Sequence, residues 1–87
     1  MSPSELEVFD SLPDTVTIYR GAVPQLWRGF SWSLKRAVAE FFAKRTSGFV
    51  FTAEVPRSAI LAHYDERNEA EVLVDLNALP RRAKFAR

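Results

Sequence analysis

Ser33-Leu34-Lys35-Arg36-Ala37-Val38-Ala39-Glu40-Phe41-Phe42-Ala43-Lys44-Arg45-Thr46-Ser47-Gly48 is the stretch on which the fold class turns. Leu34, Ala37, Val38, Phe41 and Phe42 recur at i, i+3, i+4, i+7 and i+8, while Lys35, Arg36, Glu40 and Lys44 take the opposite side. That is the pattern of an amphipathic helix. Ser33 is the expected N-cap, and Gly48 the expected stop after Thr46 and Ser47.

On both sides of this helix the period changes from 3.6 to 2. Upstream, Val16 and Ile18 alternate with Thr17 and Tyr19 in a strand over 15–20, which Gly21 is expected to break. Residues 22–30, with Pro24 and Gly29, read as loop. Downstream, Phe49, Phe51, Ala53 and Val55 alternate with Val50, Thr52 and Glu54 until Pro56. A short strand over 60–64 follows, then a charged turn at Asp65-Glu66-Arg67-Asn68 and a final strand near 69–76. At the N-terminus, Ser2 before Pro3, with Glu5 three residues on, predicts a short capped helix carrying Leu6, Phe9 and Leu12. Pro13-Asp14 ends it. One long helix and one short one among several strands, without a βαβ repeat, predict an α+β fold with a small antiparallel or mixed sheet.

The chain of 87 residues, 47% of them apolar, has room for a single domain and one core, 1–87. With 12 Lys and Arg against 11 Asp and Glu, the net charge of +1 favours neither nucleic acid nor a membrane surface. The exception is 77–87, read as a basic C-terminal tail in which Arg81, Arg82, Lys84 and Arg87 are the only charged residues. A solvated tail is the plainer reading of this segment, and contact with nucleic-acid phosphates is expected nowhere else. Zero cysteines and one histidine leave no basis for a disulfide framework or a zinc or iron centre; carboxylate-only magnesium or calcium sites stay open, and no metal-binding residue is singled out. No leader pattern or membrane-length apolar run is visible, so a soluble, cytoplasmic protein is expected.

Several residues could carry chemistry. Strict alternation puts Arg20 on the Val16 and Ile18 face, at the rim of the core, where a guanidinium calls for an anionic partner. Both a structural ion pair with a protein carboxylate and capture of a ligand phosphate satisfy that need. On the last strand, period two places Glu69 and Glu71 on one face, their Cα atoms about 7 Å apart. Two such acids suit either a solvated edge or a cleft that uses one to bind and the other to stabilise positive charge. His63 reads as an ordinary strand residue, and Phe41, Phe42, Phe49 and Phe51 as core. Trp32, beside the helix start, is a candidate for facing a ligand or for packing as a staple.

Taken in order, three pieces resemble a known family. Ile18-Tyr19-Arg20-Gly21, then Gly29-Phe30-Ser31-Trp32-Ser33-Leu34 ahead of Ala39-Glu40-Phe41-Phe42-Ala43, then Arg67-Asn68-Glu69-Ala70-Glu71-Val72-Leu73-Val74 are similar to the Arg, Ser-x-Ser, Glu-x-Glu order of ADP-ribosyltransferases. The resemblance spans about Leu12 to Leu76 and is nearest to the compact bacterial and phage branch.

The resemblance implies a minimal ADP-ribosyltransferase-like fold with NAD as substrate. Arg20, Ser31 and Glu71 would form the catalytic set: Arg20 bracing the site and contacting NAD, Ser31 orienting Glu71, and Glu71 bonding the nicotinamide-ribose hydroxyl. Gly21 would let the backbone approach the nicotinamide amide, Ser33 would supply the second hydroxyl, and Trp32, Phe42 or Tyr64 would cover the cationic ring. Glu69 would engage the acceptor. The implied activity is mono-ADP-ribosyl transfer to a protein side chain, as in a phage or mobile-element effector acting in the host cytoplasm. The alternative is a catalytically silent member that docks on a target, such as an anti-CRISPR inhibitor. At this size a homodimer or a partner completing the site is also implied.

Overall fold

The computed structural model describes residues 1–86, so Arg87 of the basic segment lies outside the described residues. Among those residues two α-helices and six strands follow one another as α1 (Pro3–Asp10), β1 (Thr15–Ala22), β2 (Ser31–Ser33), α2 (Arg36–Thr46), β3 (Phe49–Pro56), β4 (Ile60–Tyr64), β5 (Glu71–Val74) and β6 (Lys84–Phe85). The strands form one antiparallel sheet in the order β4-β5-β2-β1-β3-β6. The α+β class read from the sequence is therefore the observed one, with an antiparallel sheet. No helix among the described residues is long and apolar enough to cross a membrane.

The register explains how this sheet makes both a core and a site. Tyr64 pairs with Glu71, Glu71 with Ser33, Ser33 with Tyr19, Tyr19 with Thr52 and Thr52 with Lys84. These residues form one polar row across all six strands, on the face covered by α2. The neighbouring row contains His63, Val72, Trp32, Arg20, Phe51 and Phe85, and by the pleat it points the other way. There the main core collects Val16, Ile18, Trp32, Phe51, Val55, Val72 and Val74, with Phe9 of α1 and Trp27 packed against it. Burying each large side chain of this set stabilises the fold by about 1.5–3 kcal/mol.

At the N-terminus the local pattern acts as its residues dictate. Ser2 Oγ accepts the Glu5 amide at 3.2 Å and Glu5 Oε1 accepts the Ser2 amide at 2.6 Å, a complete capping box on α1. His63 is buried, and its Nδ1 lies 3.1 Å from the Glu5 carbonyl. A carbonyl can only accept, so Nδ1 carries the hydrogen.

The structure corrects the sequence reading in several places. Gly21 does not break β1 but lies inside it, because α2 crosses so closely that a Cβ there would sit 2.0 Å from the Ala39 carbonyl oxygen. The close approach also turns α2: Ala39 and Ala43 are its buried residues, while Phe41 is 54% exposed. Phe49 is likewise exposed, so of the phenylalanines expected in the core Phe51 is the one fully inside. Ser33 is not an N-cap. Residues 31–33 are a strand, and α2 starts at Arg36 behind Lys35, with no side-chain cap. At the other end the left-handed residue is Ser47, at φ 54°, rather than Gly48. Gly48 is required instead by contact, since its Cβ would meet the Ala22 carbonyl oxygen at 2.3 Å. Nor is the stretch after 77 a free tail as far as residue 86: Leu79 is buried, Lys84–Phe85 extend the sheet, and Phe85 packs on Phe51 with ring centres 5.0 Å apart.

Candidate functional site

A cleft of about 230 Å³ opens on the α2 side of the sheet. It lies where β1 and β2, joined at the Tyr19 and Ser33 pair, separate toward Gly21 and Ser31. Arg20, Gly21, Ser31, Ser33, Glu69 and Glu71 all border it, with Tyr19, Val38, Ala39 and Phe42 as its remaining polar and apolar walls and Trp32 at its margin.

Arg20, Ser31 and Glu71 are joined into one chain of hydrogen bonds. The Arg20 guanidinium donates from Nη1 to the Ser31 carbonyl at 2.7 Å and from Nε to the Leu26 carbonyl at 3.2 Å. Ser31 Oγ in turn donates to Glu71 Oε2 at 2.5 Å. A hydroxyl given to a carboxylate is a charge-assisted bond, short by nature. Ser31 reaches Glu71 because the antiparallel register sets Ser33 opposite Glu71 and Ser31 opposite Leu73, which puts all four on one face.

The anionic partner expected for Arg20 is replaced by these two carbonyls. The guanidinium passes so close to Gly29 that a Cβ there would sit 2.5 Å from its Cζ and Nη2, so the small residue makes the berth. Partial burial lowers the Arg20 pKa below the usual guanidinium range, a direction set by desolvation. In this position Arg20 braces the 26–31 loop and, through it, Ser31.

Trp32 is not placed as a ring for stacking on a ligand. By alternation it opposes Ser31 and Ser33, the residue is 2% exposed in the core, and Nε1 donates to the Gly29 carbonyl at 2.7 Å. Of the three aromatic candidates, Phe42 lines the cleft; Tyr64 shares Glu71's row on the neighbouring strand and lies outside the cleft wall. Gly21, expected to admit a ligand to the backbone, is needed for the approach of α2.

Glu69 and Glu71 do not sit on one strand face. β5 begins at Glu71, and Glu69 belongs to the turn before it. Arg67, Asn68 and Ala70 there adopt positive φ of 58°, 59° and 46°. Asparagine tolerates this region, but for Arg67 and Ala70 it costs on the order of 1 kcal/mol or more each, so the turn must be held by its surroundings. Ser33 Oγ donates to the Glu69 carbonyl at 2.7 Å and accepts the Lys35 amide at 3.0 Å. The Leu34 amide donates to the Ala70 carbonyl at 3.1 Å, and Lys35 Nζ to Asn68 Oδ1 at 2.6 Å. Ser33 is thus a hydroxyl that fixes the acidic turn.

Sequence reasoning missed Tyr19, Val38 and Ala39 as cleft walls, and Asp65, whose Oδ1 accepts the Ala70 amide at 2.9 Å. The alternation of β1 does put Tyr19 opposite the core; what it lacks is the fact that α2 covers that side. His63 packs on the core face, away from the cleft. Among the described residues no group of three His, Asp or Glu side chains is arranged to hold a metal ion.

These features define a small α+β domain with a hydroxyl-oriented carboxylate in a cleft between separating strands. No family model, curated protein or solved structure matches the chain.

Proposed function

We propose that the chain is a NAD-dependent mono-ADP-ribosyltransferase that transfers ADP-ribose to a protein side chain. The observation that carries this reading is the 2.5 Å hydrogen bond from Ser31 Oγ to Glu71 Oε2 at the cleft wall. With one oxygen fixed, Glu71 offers the other to the hydroxyl of the nicotinamide ribose. Cleaving the ribose–nicotinamide bond leaves its electron pair on the nicotinamide nitrogen and positive charge on the sugar, which a fixed carboxylate stabilises. The acceptor then bonds the same carbon and releases its proton to water or to Glu69.

Support also comes from the arrangement around that bond. Arg20 braces Ser31 from behind. Phe42 offers an aromatic wall for the cationic ring. Glu69 borders both the cleft and an adjoining groove with Lys35, Val38, Phe41 and Arg67, the place for an incoming acceptor. A cleft of about 230 Å³ suits the nicotinamide riboside end of NAD, with the adenosine end lying over the surface or against a partner or second copy.

The experiment is incubation of the protein with NAD and candidate acceptors, following free nicotinamide and ADP-ribose mass addition, beside Glu71→Gln. The wild type should release nicotinamide, and the variant should lose about 1,000-fold of that rate at an unchanged melting temperature. No nicotinamide release and no mass addition with any acceptor would overturn the enzymatic reading. Target binding that survives Glu71→Gln but is lost on removing Arg81, Arg82 and Lys84 would then mark a docking protein.

A further inference from the structure

We infer that Asp65 is a positioning residue for the Glu69 and Glu71 carboxylates, and that Glu5 links it to α1. The significance of this for catalysis rests on the transferase reading above; the geometry does not.

Ala70 lies between the two acids, so its φ and ψ set how their side chains are aimed relative to one another. In an extended strand they would share a face about 7 Å apart. At φ 46°, Ala70 instead folds the chain, and both Glu69 and Glu71 border the cleft. Alanine does not choose that conformation by itself.

Both peptide planes flanking the Ala70 Cα are pinned from opposite sides. The plane toward Glu69 carries the Ala70 N–H, which donates to Asp65 Oδ1 at 2.9 Å. The plane toward Glu71 carries the Ala70 carbonyl, which accepts the Leu34 amide at 3.1 Å. Ala70 is 6% exposed, so without Asp65 its N–H would lose an ionised acceptor in a place where water cannot readily replace it. Fixing both planes fixes the torsion between the acids.

Asp65 is itself held. Its amide donates to Glu5 Oε2 at 2.5 Å, while Glu5 Oε1 closes the capping box of α1. One carboxylate thus caps the start of a helix and anchors the turn that carries the acidic pair. The path from α1 to the cleft runs Glu5, Asp65, Ala70, with no contact between Glu5 and the cleft wall itself.

The test compares Asp65→Ala, Asp65→Asn and Asp65→Ala combined with Ala70→Gly in the full chain. Amide hydrogen exchange by NMR reads the geometry whether or not the protein is active. The Ala70 amide should be protected in the wild type and in Asp65→Asn, whose Oδ1 still accepts, and should exchange at least about tenfold faster in Asp65→Ala. Nicotinamide release reads the consequence. For Asp65→Ala, kcat should fall at least about tenfold with KM within twofold, the asparagine variant should stay near wild type, and Ala70→Gly should recover part of the loss, because glycine adopts the left-handed conformation untethered.

Unchanged exchange at Ala70 in Asp65→Ala overturns the inference. So does an asparagine variant as impaired as the alanine one, since loss of charge and not of the acceptor would then be responsible. A wild type that releases no nicotinamide, with Ala70 exchange behaving as expected, overturns the transferase reading and leaves the positioning role in place. Should Asp65→Ala fail to fold, Asp65→Asn and Glu5→Gln, whose single amide oxygen cannot replace both Glu5 acceptors, carry the test: Ala70 protection kept in the first and reduced in the second supports the path, and protection lost in the first or unchanged in the second overturns it.

Discussion

The two halves of the sheet are built on different terms. β1 and β3 pair from Thr15 and Pro56 through Ala22 and Phe49, and this long ladder is covered by α2 on one face and the main core on the other. β2 and β5 pair only from Ser31 to Ser33 against Leu73 to Glu71, and they meet the long half at the Tyr19 and Ser33 pair. The long half contributes Arg20 and Gly21 to the cleft; the short half contributes Ser31 and Glu71, with Glu69 on the turn leading into it. Order on the long side comes from repeated ladder and packing contacts. On the short side Trp32, Val72 and Val74 pack into the same core, but the cleft face is ordered by individual side-chain bonds: Arg20 to the Ser31 carbonyl, Ser31 to Glu71, Ser33 to Glu69 and Asp65 to Ala70. Substitutions in the long half should therefore be read in stability, and those on the cleft face of the short half in the activity proposed above.

The largest effect should come from Gly21→Ala. The added Cβ would lie 2.0 Å from the Ala39 carbonyl oxygen and 2.5 Å from the Ala43 nitrogen, both backbone atoms that cannot swing aside. Either α2 lifts off the sheet or β1 shifts under it, and both cost packing at Ala39 and Ala43. The expected loss is about 3 kcal/mol, which for a domain of this size lowers the melting temperature by more than about 10 °C in a thermal scan. A Gly21→Ala protein that melts like the wild type would mean that α2 does not sit as close as the long half requires.

Ser31→Ala should show the opposite profile. Glu71 is half-buried and loses one donor, while ladder and core stay as they were. Under the transferase proposal nicotinamide release should fall roughly 10- to 100-fold, because the carboxylate is no longer held in one rotamer, and the melting temperature should move by less than about 4 °C. A large drop in melting temperature with activity intact would break the division between the halves.

What could be read from the sequence follows the same division. The alternation in Thr15 to Arg20 and Phe49 to Val55 revealed β1 and β3, and Ser2-Pro3-Ser4-Glu5 revealed α1, since both signals are local. β2 was invisible: three residues are too few to show a period of two, and Ser33 before an amphipathic run resembles an N-cap. Helix α2 was evident, but its buried side was not, because that depends on Gly21 lying against Ala39 and Ala43. Ser31 and Glu71 were singled out by the order of the motifs; forty residues separate them, and antiparallel pairing alone joins them. Asp65 carried no signal at all, since its role needs the left-handed Ala70, which no residue type advertised.

The smallest effect, and the finest probe of the short half, concerns pH. The Glu5 carboxylate accepts amides from Ser2 and Asp65, and these bonds, Ser2's the larger, hold its pKa below the ordinary 4.5. A carboxyl whose pKa is depressed in the folded state adds stability that is fully present above its unfolded pKa and disappears as pH falls through the folded one. Between pH 7 and 5 the melting temperatures of the wild type and Glu5→Gln should therefore differ by a constant amount, the wild type being higher. Below about pH 4.5 the gap should close as Glu5 takes up its proton and both chains present a neutral side chain. Measured beside it, the protection of the Ala70 amide, taken relative to an unstructured amide at the same pH, should fall over that acid range in the wild type and much less in Glu5→Gln, because the Asp65 anchor weakens as Glu5 is neutralised. A gap that widens toward acid would mean that Glu5 is destabilised by its neighbours and does not serve as the anchor for the acidic turn.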